Sequence, residues 1–233
     1  MKRCLSIVLF LFCLGLSAWA QGNYRPGDVV PEPYLKVFGC ERFFGVSEIP
    51  GAVKELMEGC TYKAMSGIGW DDLRYLRVLH CDVDGNAIVG EMVCNTAIAE
   101  DLLEIFKALY QAKYPIEKMR LVDYYGGDDP ASMCDNNTSC FNQRKIPAGG
   151  IISKHSYGLA VDINPKYNPY YKVRDGKTKV EPEESAEYLD RSGVFPYMIK
   201  KGDLCYRLFK QHGFQWGGDW LGSKDYQHFE KLY

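Results

Sequence analysis

The apolar positions along the chain fall into blocks that read as separate elements. Leu73 to Val83 and Ala87 to Cys94 read as two strands joined at Asp84-Gly85-Asn86, a tight-turn signal. Ile98, Leu102, Ile105, Phe106 and Leu109 recur at helical spacing. They predict a helix capped by Asn95 or Thr96 and running to about Lys113, with Glu100 and Asp101 in the turns where the dipole favours acid. Met119 to Tyr124 follows as a strand, with Met119, Leu121 and Asp123 on one face. From Leu159 to Ile163 the alternation puts Ala160 and Asp162 on one face and Val161 and Ile163 on the other. Gly202 to Gln211 reads as a second helix with Leu204, Leu208 and Phe209 inward, ended by His212-Gly213.

The stretches between these blocks are polar. Gln21 to Pro33 reads as an extended leader, and Val37 to Tyr62 has no clean period. Asp82 to Asn86 lacks the glutamate that closes a calcium loop, which favours a plain hairpin turn. Gly126 to Gly150 is a long loop rich in Gly, Asp, Asn and Ser, of a length that inside a compact domain is usually functional or disordered. Asn136-Asn137-Thr138-Ser139 within it matches a glycosylation acceptor twice. Residues 166–198, with Tyr167, Tyr170, Tyr171 and a charged run from Asp175 to Glu187, read either as an insertion rimming a cleft or as a solvated loop.

Met1 to Ala20 has the charged start, apolar run and Ala-Trp-Ala end of a secretory signal, too short for a comfortable membrane span. The expected organisation is a signal at 1–20, a poorly defined N-terminal extension at 21–72 and a catalytic domain at 73–233. The mature protein is expected to be secreted or periplasmic, with no stable membrane span. The net charge of −2 becomes about −4 once Lys2 and Arg3 are removed, which argues against a nucleic-acid partner. Of nine cysteines, seven lie beyond the signal. In an oxidising compartment some are expected to pair, with Cys134–Cys140 and Cys81–Cys94 as candidate bridges.

The chemistry concentrates in Ser153-Lys154-His155-Ser156-Tyr157-Gly158-Leu159-Ala160-Val161-Asp162. Gly158 permits the turn that brings His155 over the Asp162 face, so one imidazole and one carboxylate make two-thirds of an open zinc site. The third ligand is expected to be His228 of Asp225-Tyr226-Gln227-His228-Phe229-Glu230, with Asp225 three residues earlier on the same face of a helical turn. A carboxylate beside a metal is placed to take the proton of a metal-acidified water. His80 and His212 have structural explanations in a strand and a helix end.

These motifs, together with Gly-Phe-Gln-Trp-Gly-Gly-Asp-Trp at 213–220, resemble the zinc-dependent D-alanyl-D-alanine carboxypeptidase family. That family includes the vancomycin-resistance dipeptidases and the L-alanyl-D-glutamate endopeptidases of phage endolysins. The resemblance covers roughly Asn95 to the C-terminus. It implies an α+β fold, a mainly antiparallel sheet with flanking helices of the Hedgehog/DD-peptidase kind. It implies Zn2+ held by His155, Asp162 and His228, Asp225 as general base, and a peptidoglycan stem peptide as substrate. An Asn-Thr-Ser-x-Phe-Asn-x-Arg stretch implies that Arg144 stabilises the oxyanion or clamps a carboxylate. Ser153, Tyr157, Trp216 and Trp220 are expected to contact substrate. Many members carry Glu where Asp225 stands, and the Asp form resembles the endolysin-type endopeptidases. The rival readings are a zinc-binding extracellular module without catalysis, against which the intact Asp225 speaks, and a disulfide-stapled binding domain.

Overall fold

The structure, a computed structural model, describes residues 23–63, 65–145 and 151–232; the expected signal at 1–20 lies outside them. Two short strands, β1 (Val29–Val30) and β2 (Gly45–Ser47), flank the hairpin of β3 (Leu73–Cys81) and β4 (Ala87–Asn95). Together they form an antiparallel sheet of order β1-β4-β3-β2. Asp82 closes the hairpin, its carboxylate accepting from the backbone N–H of Asp84 at 3.0 Å and of Asn86 at 2.9 Å. The carboxylate is thus engaged by the turn itself. Residues 23–72 contribute both edge strands, the helices α1 (Glu32–Phe38) and α2 (Gly51–Met57), and Tyr34 and Phe43, which pack on Leu79 and Val89 of the hairpin.

Helix α3 (Ala99–Gln111) continues from a short 3-10 turn that Asn95 caps, its side-chain oxygen accepting from Ala97 N–H at 3.0 Å. Its apolar stripe buries Leu102, Ile105, Phe106 and Leu109 against Leu76, Val78 and Met92 of the hairpin. Val161, Phe209 and Phe229 enter the same core, which therefore ties the sheet to the strands that carry the site. Full burial of such side chains is worth about 1.5–3 kcal/mol each.

The middle of the chain departs from the expected pattern. Only β5 (Lys118–Met119) is strand, paired in parallel with β6 (Asn137–Thr138), and Val122–Tyr125 is a 3-10 turn. The cause is Asp123, whose buried carboxylate accepts from the N–H and hydroxyl of Thr61 and so is drawn inward rather than outward from a strand. The expected loop at 126–150 contains α4 (Asp129–Cys134), capped by Asp128 accepting from Ala131 N–H. Asn136 and Asn137 are each 1% exposed and bonded within the fold, which leaves no room for a glycan at either.

Two further small sheets complete the architecture. One has order β10-β12-β7, from β7 (Ala160–Asp162), β10 (Gln215–Trp216) and β12 (His228–Glu230). The other has order β11-β8-β9, from β8 (Tyr170–Arg174), β9 (Lys177–Glu181) and β11 (Ser223–Asp225). Between them α5 (Leu204–Gln211) buries Phe209 and ends at His212, whose ring bonds Asp101. The fold is α+β, and among the described strands every pairing is antiparallel except that of β5 with β6. Among the described residues no helix is long and apolar enough to cross a membrane.

All seven cysteines of the described residues are free. Cys81 faces Ala87 beside the turn and Cys94 faces Arg74 toward the other end, seven residue pairs away along β3. At about 3.3 Å per residue that is roughly 23 Å, far beyond disulfide reach. Cys134 ends α4 with its thiol on Glu184, whereas Cys140 is buried with its thiol on the Gly158 carbonyl. Neither expected bridge is present.

Candidate metal centre and active-site cleft

Strand β7 sits between β12 and a single bridge to Ser139, and His228 lies directly across from Asp162 in the antiparallel register. Cross-strand partners present their side chains on one face, so the pairing alone brings the two groups together. His155 arrives from a 3-10 turn, Lys154–Tyr157, capped by Ser153 Oγ accepting from the His155 N–H at 3.3 Å. The turn ends at Gly158 with φ +66°, and a Cβ there would sit 2.7 Å from the Asn95 nitrogen, so the turn closes onto the end of β4 only with glycine.

The result is a buried cluster of His155, Asp162 and His228. His155 Nε2 lies 3.2 Å from Asp162 Oδ2 and 3.2 Å from His228 Nδ1, and His228 Nδ1 lies 3.0 Å from Asp162 Oδ1. The Cys140 carbonyl, 2.6 Å from His155 Nδ1, can only accept, so that nitrogen carries the proton and Nε2 offers a lone pair. Glu230 does the same for His228: its carboxylate accepts from the Nε2–H at 3.4 Å, which leaves Nδ1 to offer its lone pair inward to a metal. Three acceptors thus converge on one point. Zinc–ligand bonds of about 2.0–2.1 Å in a tetrahedron give ligand atoms about 3.3 Å apart, close to the spacing here. The donor set and its outer hydrogen bonds fit a divalent metal with room for a further ligand.

The electrostatics agree. Burial works against the Asp162 carboxylate, yet the charge and hydrogen bonds of His155 and His228 hold it well below the usual carboxylate range. Burial also opposes a charged His228, but hydrogen bonds to Asp162 and Glu230 raise it to about 10.

Asp225 faces the same cleft of about 400 Å³, which Arg144, Ser153, Trp220 and Gln227 also line. Its Oδ1 is buried without a hydrogen-bond partner, and burial, helped by the nearby Asp162, pushes its pKa to about 7 despite the pull of His228 and Arg144. Asp225 and His228 do not share a helical turn. They end β11 and begin β12, with Tyr226-Gln227 as the crossing between the two sheets. Arg144 is held by an ion pair to Asp129 at 2.8 Å, on the first turn of α4.

Two expected substrate contacts lie elsewhere. Trp216 is core: its ring packs near Phe229, its Nε1 donates to the Tyr226 carbonyl, and Gly218 lacks a Cβ where one would meet the indole at 2.4 Å. Tyr157 is half-buried and outside the cleft, its carbonyl accepting from Asn95 Nδ2. Trp220 does face the site, its ring 5.4 Å from that of His228. Glu230 and Asp129 were not anticipated. Glu230 is signalled by its place two residues after His228, on the same face of a strand, whereas nothing local marks Asp129.

Three converging side chains that could hold a metal, with the unpartnered Oδ1 of Asp225 in the same cleft, are equipment suited to metal-assisted hydrolysis. Residues 148–231, which carry His155, Asp162, His228 and Asp225 but not Asp129, Cys140 or Arg144, match the family described as D-alanyl-D-alanine carboxypeptidase. The match agrees with the resemblance read from the motifs and covers a shorter stretch than the expected one from about Asn95 onward. No solved structure matches the chain.

Proposed function

We propose that the protein is an exported zinc metallopeptidase that cleaves peptidoglycan stem peptides, as a D-alanyl-D-alanine carboxypeptidase or an L-alanyl-D-glutamate-type endopeptidase. The observation that carries the reading is that His155 Nε2 and His228 Nδ1 lie 3.2 Å apart, each within 3.2 Å of an oxygen of Asp162, beside the buried and unpartnered Oδ1 of Asp225. A non-catalytic zinc module has no need of that buried carboxylate.

Zinc held by His155, Asp162 and His228 would polarise the scissile carbonyl and lower the pKa of a water to about 7. Asp225, with its pKa raised to about 7 by burial, takes the proton of the attacking water and returns it to the leaving amine. Arg144 donates to the carbonyl oxygen as negative charge develops there, and losing one such donor costs about 2.7–4 kcal/mol of barrier. Asp129 fixes the guanidinium so that little reorganisation is needed. Ser153 keeps its hydroxyl proton available to a substrate carboxylate, because in the cap its oxygen only accepts.

The test is incubation of the purified mature protein with defined stem peptides, with chelator and after zinc restoration, and mass spectrometry of the products. Zinc-dependent release of D-alanine, or scission between L-alanine and D-glutamate, is expected. A zinc-loaded protein that leaves every stem peptide intact would overturn the reading in favour of the binding module. N-terminal sequencing of the exported protein is expected to begin at Gln21.

A further inference from the structure

The β11-β8-β9 sheet forms a wall of the cleft, and its register fixes which side chains look inward. Asp225 pairs with Tyr170, and Tyr170 with Glu181, giving one row of three across the sheet. Ser223, Lys172 and Lys179 form the next row on the same face. Tyr170, Lys179, Glu181, Ser223 and Asp225 all line the cleft. The base at one edge of the wall and the Lys179–Glu181 pair on the other edge strand are two strand spacings apart, roughly 10 Å. That is about three extended residues of a bound peptide.

Lys179 and Glu181 are ion-paired with each other, with side chains 59% and 36% exposed. An exposed pair of this kind contributes little to stability, so incoming charges can replace it without loss to the fold. Lys179 offers an ammonium and Glu181 a carboxylate side by side on one rigid strand, and the group complementary to both carries a carboxylate next to an amine. We propose that Lys179 and Glu181 form a substrate subsite for an amino-acid side chain ending in both an amine and a carboxylate, about 10 Å across the sheet from Asp225. Tyr170 between this subsite and Asp225 supplies an aromatic floor for the intervening residue. The inference rests on the peptidase reading above.

The experiment compares one stem peptide in three forms: with an amino-carboxylate side chain, with that carboxylate amidated, and with that amine acetylated. For the wild type, the unmodified form is expected to exceed each blocked form in kcat/KM by roughly tenfold, through KM, as fits a charge-assisted hydrogen bond. Lys179→Ala is expected to abolish discrimination against the amidated form, and Glu181→Gln discrimination against the acetylated form. A wild type that treats all three alike, or variants that lower kcat for all three without changing the ratios, would overturn the subsite while leaving the peptidase reading intact. Failure of the zinc-loaded wild type to cleave any of them would remove the peptidase reading, and the subsite with it.

Discussion

Ser156 holds both backbone groups of Arg144: its Oγ accepts from the Arg144 N–H at 2.8 Å and donates to the Arg144 carbonyl at 2.8 Å. The serine sits one residue after His155 and is fully buried. It therefore registers the arginine to the turn that carries His155. Ser156→Ala leaves the Arg144 N–H unsatisfied, which costs about 1–3 kcal/mol of stability. It also frees the guanidinium to wander, so kcat is expected to fall roughly 10–100-fold with zinc content unchanged. Turnover equal to wild type in a folded variant would mean that Asp129 alone places Arg144.

Zinc binding should depend on the outer carboxylate as well as on the ligands. His155→Ala and His228→Ala are expected to hold no stoichiometric zinc. Glu230→Gln keeps the stoichiometry of one but loosens affinity roughly 10–100-fold, because the His228 ring loses the charged acceptor that orients it and raises its basicity. Competition with a chelating dye reads both. For the wild type, free zinc at 100 times its Kd should add about 2.7 kcal/mol of stability, and chelator should remove it.

Stability against pH follows from where the buried groups hold protons. In the metal-free protein Asp225 is raised from 3.8 to about 7, so its contribution is full below about pH 4 and is lost as pH rises through 7. His228, raised from 6.5 to about 10, contributes fully below 6.5 and loses that contribution as pH climbs through 10. Asp162 has the opposite sign: held low, it stabilises above 3.8 and is lost on acidification. The melting temperature of chelated protein is therefore expected to decline between about pH 4 and 10, and the increment from zinc to grow over the same range, since the metal displaces those protons. A melting temperature in chelator that stays flat from about pH 5 to 9 would show that neither group holds its proton there.

The cluster of His155, Asp162 and His228 was legible because each residue sits in a short motif whose local geometry does most of the placing. Alternation put Asp162 on a defined face, and the glycine at 158 announced the turn that returns His155. The relation of Asp225 to His228 was not legible: a spacing of three suits a helical turn, but here it spans two three-residue strands that belong to different sheets. Elements so short have no period of their own and are defined by their partners. Trp216 illustrates the same limit, since an aromatic between glycines can wall a pocket or fill a core, and only the indole folding over Gly218 decides it. The expected Cys81–Cys94 pair failed because closeness in sequence across a hairpin says nothing about which rungs the two residues occupy.

Gly217 makes the position of Asp225 unusually sensitive to a single methyl group. A Cβ at residue 217 would lie 2.6 Å from the Asp225 carbonyl oxygen and 2.7 Å from its Cβ, contacts that real side chains do not make. The neighbours cannot yield easily, because Asp225 is pinned by its pairing to Tyr170 on one side and followed by His228 on the other. Gly217→Ala should therefore push the base out of line while leaving the β7–β12 pairing that sets the metal site. The expected phenotype is a folded protein that still binds zinc through His155, Asp162 and His228 but has lost at least about 100-fold in kcat, since displacements near 1 Å at a reacting group have effects of that size. Zinc titration and stem-peptide turnover on the same preparation separate the two, and a variant that loses both together would show that the metal turn, rather than Asp225, bears against this glycine.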